Sequence, residues 1–346
     1  MRFSTIFKNE PLKSYYDPTK TATAYINGQK LSITVTTSNG NATVKMDPAE
    51  IERYAASVTG REAYLTIDLS ELSVTSATLS TEIFKKLAEL AADPSNSLAG
   101  VTIKFADCSV TFDAVALKAI IEQATGADIK LSVKVNPDLS VSQRRTVGGL
   151  NNALVIDVEL TSNGKAITDF KGGSVTLEVP FKWSGNVVVR GAFLTDDGKL
   201  EPVYRELRNG AVRLVVNHFS KYVVYTEEPL PFTDVDVNAY YYDAVKWAVE
   251  KGVTTGTSAT TFSPDADCTR AQIVTFLWRA MGSPEPTAAE NPFVDVKPED
   301  YFYKAVLWAV EKGITNGTSA TTFSPNDSCT RAQTVTFLWR AEGSPE

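Results

Sequence analysis

The chain has 346 residues, 43% hydrophobic and 22% charged, with a net charge of −7; that is length enough for two or three domains with sizeable cores. No apolar run approaches the ~20 residues of a membrane-spanning helix. No basic stripe supplies the electrostatic footprint of a nucleic-acid binder, so neither membrane insertion nor nucleic acid is expected. The start, "MRFSTIFKNE", lacks the apolar stretch of a secretory signal. The chain therefore reads as cytoplasmic or as a trimmed piece of something exported, with residues 1–20 as an N-terminal extension.

Residues 21–148 predict an α+β domain. In "MDPAEIERYAASV", Asp47 is placed as N-cap, Pro48 at the first helical position and Glu50 to complete a capping box. Ser80–Ala92 has an amphipathic helical pattern. "FDAVALKAIIEQATG" predicts a third helix, capped by Asp113 and stopped by Gly126. "DIKLSVKV" alternates Ile129, Leu131, Val133 and Val135 toward a core. From 149 to 226 the pattern changes to short strands with turn punctuation, as in "ELTSNGK", which predicts a β-rich, sandwich-like domain. Residues 227–231 read as a linker.

The last third is a duplication. Residues 232–285 align without gaps on 293–346, about 39 of 54 positions being identical. Residues 286–292 connect the copies. Each copy predicts an all-α helix-loop-helix. The first helix lies in "YYYDAVKWAVEKG", with Val245, Ala248 and Val249 on one face and Gly252 as stop. The second starts in "CTRAQ". There Thr269 and Gln272, and likewise Thr330 and Gln333, predict a capping box. Val274, Leu277, Trp278 and Met281, with Val335, Leu338 and Trp339 in the second copy, predict a core stripe. Glu342 in the Met281 position marks that last place as exposed.

Chemistry is sparse. The only histidine, His218, sits at a predicted strand end and reads as structural. The three cysteines make no disulfide framework; Cys268 and Cys329 share one repeat position and read as small packed side chains. No metal-ligand spacing, phosphate loop or nucleophile elbow is present, and no cofactor or metal is expected. Asp68, Asp157 and Glu178 are available carboxylates, but nothing in their spacing selects a catalytic pair.

The repeats resemble S-layer homology modules. The resemblance is carried by "FTDV" and "FVDV", "AVKWAVEKG" and "AVLWAVEKG", "GVTTGTSATTFSP" and "GITNGTSATTFSP", and "TRAQ" in the place of the family's usual T-R-A-E. It implies a bacterial surface protein, extracellular and held non-covalently to the cell wall by an anionic, often pyruvylated, secondary polysaccharide. It also implies three modules in a prism with ligand grooves between them. Two occur here, which leaves open a third from another chain or a missing segment. Arg270 and Arg331, at helix N-termini, suit a carboxylate. Trp247 and Trp308 suit a sugar face, Asp234 and Asp295 a hydroxyl, and Gly256 and Gly317 a close backbone approach. Core packing competes for the tryptophans and turn formation for the aspartates. Before the repeats, "VTFDAVALKAIIEQATGADIKLSV", "DFKGGSVTLEVPF" and "HFSKYVV" loosely resemble strand-rich modules of clostridial surface proteins. Two alternatives stand beside anchoring: a glycan hydrolase within 21–225, and a repeat pair serving oligomerisation alone.

Overall fold

The computed structural model describes residues 21–58, 63–93, 95, 97–208, 210–287 and 290–345; the extension expected at 1–20 lies outside them. The chain divides into two compact units, one ending at Glu227 and the other starting at Glu228.

In the first unit, helices α1 (Pro48–Ala56), α2 (Thr81–Ala92), α3 (Ala114–Gln123) and α4 (Val141–Val147) accompany two sheets. The first sheet runs, neighbour to neighbour, through Tyr204–Arg208, Ala211–Val216, Val175–Pro180, Ser109–Asp113, Leu98–Lys104, Ala63–Asp68, Thr23–Ile26 and Gln29–Leu31. The second runs through Leu200–Pro202, Val188–Leu194, Lys221–Glu227, Asn151–Ser162, Asp128–Val135, Ser76–Ser80, Asn41–Met46 and Ile33–Ser38, with Lys165–Ala166 paired beside Asn151–Ser162. Most pairs are antiparallel. Asn41–Met46 with Ser76–Ser80, and Ala63–Asp68 with Leu98–Lys104, are parallel.

The expected boundary between 148 and 149 is not there. Both sheets cross it: Val175–Pro180 pairs with Ser109–Asp113, and Asn151–Ser162 with Asp128–Val135. The Asp113 carboxylate caps α3 at Ala116 N–H, 2.7 Å, and also accepts from Ser174 N–H at 2.8 Å. Phe84, Phe112, Phe170 and Phe219 pack edge to face across the same divide. One core holds residues of both sheets and of α1, α2 and α3. Alternation and turn signals are local. They do not say which strand satisfies a neighbour's N–H and C=O groups.

Two smaller differences have clear causes. Asp47 does cap α1, but Glu50 does not close a capping box; its carboxylate accepts from Ser32 N–H at 2.9 Å instead. Helix α4 was not anticipated. Its start, Ser140-Val-Ser-Gln143, carries a full capping box, the same signal read at Thr269. Gln143 and Thr146 then bind the carbonyls of Thr195 and Gly198 at 3.1 and 2.6 Å, again tying the two halves together. His218 is structural: its ring stacks edge-on against Phe193 and its carbonyl accepts from the Tyr222 hydroxyl.

The second unit is the repeat pair. Helices α5 (Tyr242–Glu250) and α6 (Arg270–Ala280) form the first repeat, α7 (Tyr303–Glu311) and α8 (Arg331–Ala341) the second. Both expected capping boxes form, with threonine accepting at 3.2 Å and glutamine returning at 2.9 Å in each copy.

Candidate functional site

Within each repeat, the opening aspartate staples the loop that follows the first helix. Asp234 accepts from Phe262 and Ser263 N–H at 2.8 and 2.7 Å; Asp295 does the same for Phe323 and Ser324, both at 2.8 Å. The Phe262 amide, helped by that of Ser263 against partial desolvation, holds the Asp234 carboxyl below its usual range. Gly256 and Gly317 both have φ of +81°, and a Cβ on Gly256 would meet the Phe232 ring and the Thr261 carbonyl oxygen at 2.6 Å. Only glycine fits there. These residues shape the loop, and both aspartates are occupied by it.

The arginines, identical in sequence, have different surroundings. Arg270 is 3% exposed. It reaches from α6 into the second repeat, where Nε donates to the Phe323 carbonyl at 3.0 Å and Nη2 to the Thr315 hydroxyl at 3.4 Å. Its guanidinium lies over the Phe323 and Phe337 rings, 5.1 and 5.3 Å from their centres. The backbone follows: Arg270 and Ala271 N–H donate to the carbonyls of Asp327 and Pro325. The expected anion contact at Arg270 is therefore not what the structure places there. The helix-end donors and the guanidinium are spent on joining the repeats. Arg331 is exposed at the start of α8.

The same asymmetry runs along both helix pairs. α6 packs on α7, and Ala271 and Val274 enter the second repeat's core. On α8 the matching stripe is open: Val335 is 62%, Leu338 49% and Trp339 46% exposed. Those three residues were expected in a core and are not. Of the other tryptophans, Trp308 is buried at 4% and Trp247 is 50% exposed. In the first repeat, Tyr241, Ala244, Val245, Ala248, Thr254, Phe262, Pro264 and Phe276 line a cavity of about 310 Å³. Their counterparts in the second repeat include Thr315, Phe323, Pro325 and Phe337, the socket that Arg270 and Ala271 fill. Among the described residues, the pair thus carries one filled socket, one open socket and one exposed plug at α8.

The seam also encloses a groove of about 490 Å³. Gly256, Thr257, Cys268, Gln272, Thr275 and Arg279 come from the first repeat, and Tyr301 from the second. Arg279 is steadied by the Val253 carbonyl at 3.2 Å. Partial desolvation holds the Tyr301 phenol above its ordinary range, against the opposing charge of Arg279 and a hydrogen bond with the Thr269 side chain. Of the expected ligand residues, Gly256 lines the groove; Gln272, expected only as a cap, lines it too. The groove adds Arg279 and Tyr301, which sequence reading missed. Arg279 lay on a helix face with no motif, and Tyr301 enters from the other repeat.

The three carboxylates considered for hydrolysis each face a basic residue directly across a strand pair: Asp68 with Lys104 at 3.0 Å, Asp157 with Lys221 at 3.3 Å, Glu178 with Arg213 at 2.8 Å. Among the described residues, no three metal-ligating side chains stand together, and no helix is long and apolar enough to cross a membrane.

A helix-loop-helix module present in two tandem copies defines the class. The S-layer homology domain model matches residues 231–274 and 292–335, and the two repeats are S-layer homology domains. An endoglucanase of Bacillus sp. (strain KSM-635) is 40% identical over 111 residues, 32% of this chain and 12% of that protein, the match lying over the repeats. The surface-layer 125 kDa protein of Lysinibacillus sphaericus is 34% identical over 102 residues, 30% of this chain and 8% of that protein. A cell surface protein of Thermoanaerobacter kivui is 30% identical over 129 residues, 36% of this chain and 17% of that protein. The chain spans well under two thirds of the length of these relatives.

Proposed function

We propose that this chain belongs to a bacterial cell-surface protein, extracellular and held to the cell wall by its repeats, which bind an anionic secondary cell-wall polysaccharide. The first unit serves as a structural or adhesive spacer. The observation that carries the reading is the groove beside the seam, lined by the first S-layer homology domain and by Tyr301 of the second. It offers the Arg279 guanidinium, the Gln272 amide, hydroxyls and the Tyr301 ring, with one carboxylate, Asp267, on the same wall; the arginine and the neutral donors suit a carboxylate-bearing sugar. The relatives named for surface layers and cell surfaces support the location.

The test is co-sedimentation with cell-wall sacculi, with and without their secondary polysaccharide. Full-length chain should pellet only with the polysaccharide present. Tyr301→Ala, at an exposed position, should weaken binding by about tenfold or more without lowering the melting temperature. Wild-type binding by that variant would move the site away from the groove.

The open socket and the exposed plug favour one addition. A further repeat, from another chain or from a segment beyond these residues, covers the α5 and α8 faces and creates further grooves. Arg331 then does for that repeat what Arg270 does for the second. Adding an isolated third repeat should reduce the accessibility of Trp339 to a fluorescence quencher; unchanged quenching would count against it.

A further inference from the structure

Cys268 and Cys329 hold the same place in two repeats, 61 residues apart. Equivalent positions in tandem modules do not ordinarily meet. At this seam they do. Thr269 and Ser328 form an antiparallel bridge. The flanking bonds run from Cys329 N–H to the Cys268 carbonyl and from Arg270 N–H to the Asp327 carbonyl, both 2.9 Å. In that register Cys268 stands directly opposite Cys329, with both side chains on one face. Opposed residues of an antiparallel pair have Cα atoms about 4.5–5.5 Å apart. That lies inside the roughly 4.4–6.8 Å range of disulfide-linked residues.

The thiols are also reachable. Both are half-buried, and Cys268 lines the wall of the groove. After burial, the neighbouring Cys329 is the next influence raising the Cys268 thiol, as expected of adjacent sulfurs. Cys108, by contrast, is buried in the first unit, and burial pushes its thiol up to about 12.

We propose that Cys268 and Cys329 are an intrachain disulfide site that staples the first repeat to the second. The oxidant is a low-molecular-weight disulfide. The Cys268 or Cys329 thiolate attacks it, releasing one small thiol and leaving a mixed disulfide. The other cysteine displaces the second small thiol. Two S–H bonds and the reagent's S–S bond are exchanged for one protein S–S bond, and both electrons and both protons end on the two released thiols. Because the attacking species is a thiolate, formation accelerates as pH rises. The site is independent of the glycan reading, since it rests on the bridge register alone.

The experiment equilibrates the full-length chain with oxidised glutathione at about pH 8, followed by thiol titration, peptide mapping and thermal melting. Two of the three thiols should disappear, the monomer mass should fall by about 2 Da, and one peptide pair should join Cys268 to Cys329. Closing so long a loop should raise the melting temperature of the repeat pair by about 5 °C, reversibly on reduction. Cys268→Ser and Cys329→Ser should each stop instead at a stable glutathione adduct on the remaining cysteine. Three persistent thiols in the wild type, stable glutathione adducts there, or a link only between chains would each overturn the proposal. The wild-type map decides the matter even if a serine variant folds poorly.

Discussion

Arg270 and Arg331 show how little a residue's identity says about its role. The same helix start places one guanidinium inside a protein interface and the other at the surface. Removing Arg270 strips hydrogen bonds from the Phe323 carbonyl and the Thr315 hydroxyl and empties the space between two rings. Arg270→Ala should therefore destabilise the repeat pair by about 2–3 kcal/mol in a urea titration. Arg331→Ala should stay within about 0.5 kcal/mol, as exposed positions do. Asp234 gives a pH test. Its folded pKa lies below its ordinary value of 3.8, so the stability it supplies is complete above that value and is lost as pH falls through the lower native one. Melting temperatures followed from about pH 5 to pH 2 should drop less steeply for Asp234→Asn than for the wild type.

At the scale of elements, helix starts were the most legible feature. Thr269 with Gln272, Thr330 with Gln333, and Asp113 all cap as their spacing predicts. The signal works because capping involves residues three apart, so no distant partner decides it. It fails where a distant partner competes, as Ser32 does for Glu50. The exposed start of α8 allows a clean measurement. Gln333→Glu keeps the acceptor for Thr330 N–H and adds charge at the positive helix end. It should stabilise by about 0.3–1 kcal/mol at low salt and by less at high salt. Thr330→Ala should cost about 1 kcal/mol in the same assay.

Across the whole molecule, the sequence misplaced one boundary and found another. The junction near 227 coincides with the change of unit, because a change from strand patterns to tandem helical repeats is visible in composition. The supposed boundary at 148 is a change of local style inside one core. A fragment ending at 148 would lose the strands that pair with Ser109–Asp113 and Asp128–Val135. It should show no cooperative thermal transition, whereas residues 21–227 should melt as a single unit. Two independent transitions within 21–227 would contradict the shared core.

By itself the sequence determined the duplication, the helix starts at Thr269 and Thr330 and the family of the repeats. All of these rest on short-range geometry or on direct self-similarity. Only the tertiary structure decided which strands share a sheet, that Arg270 is a plug, that Arg279 and Tyr301 face one groove, and that two equivalent cysteines stand opposite one another. The reason is physical. A repeated sequence has identical local preferences in each copy, but burial depends on what packs against it, and the first repeat has a neighbour on a face that the second leaves open.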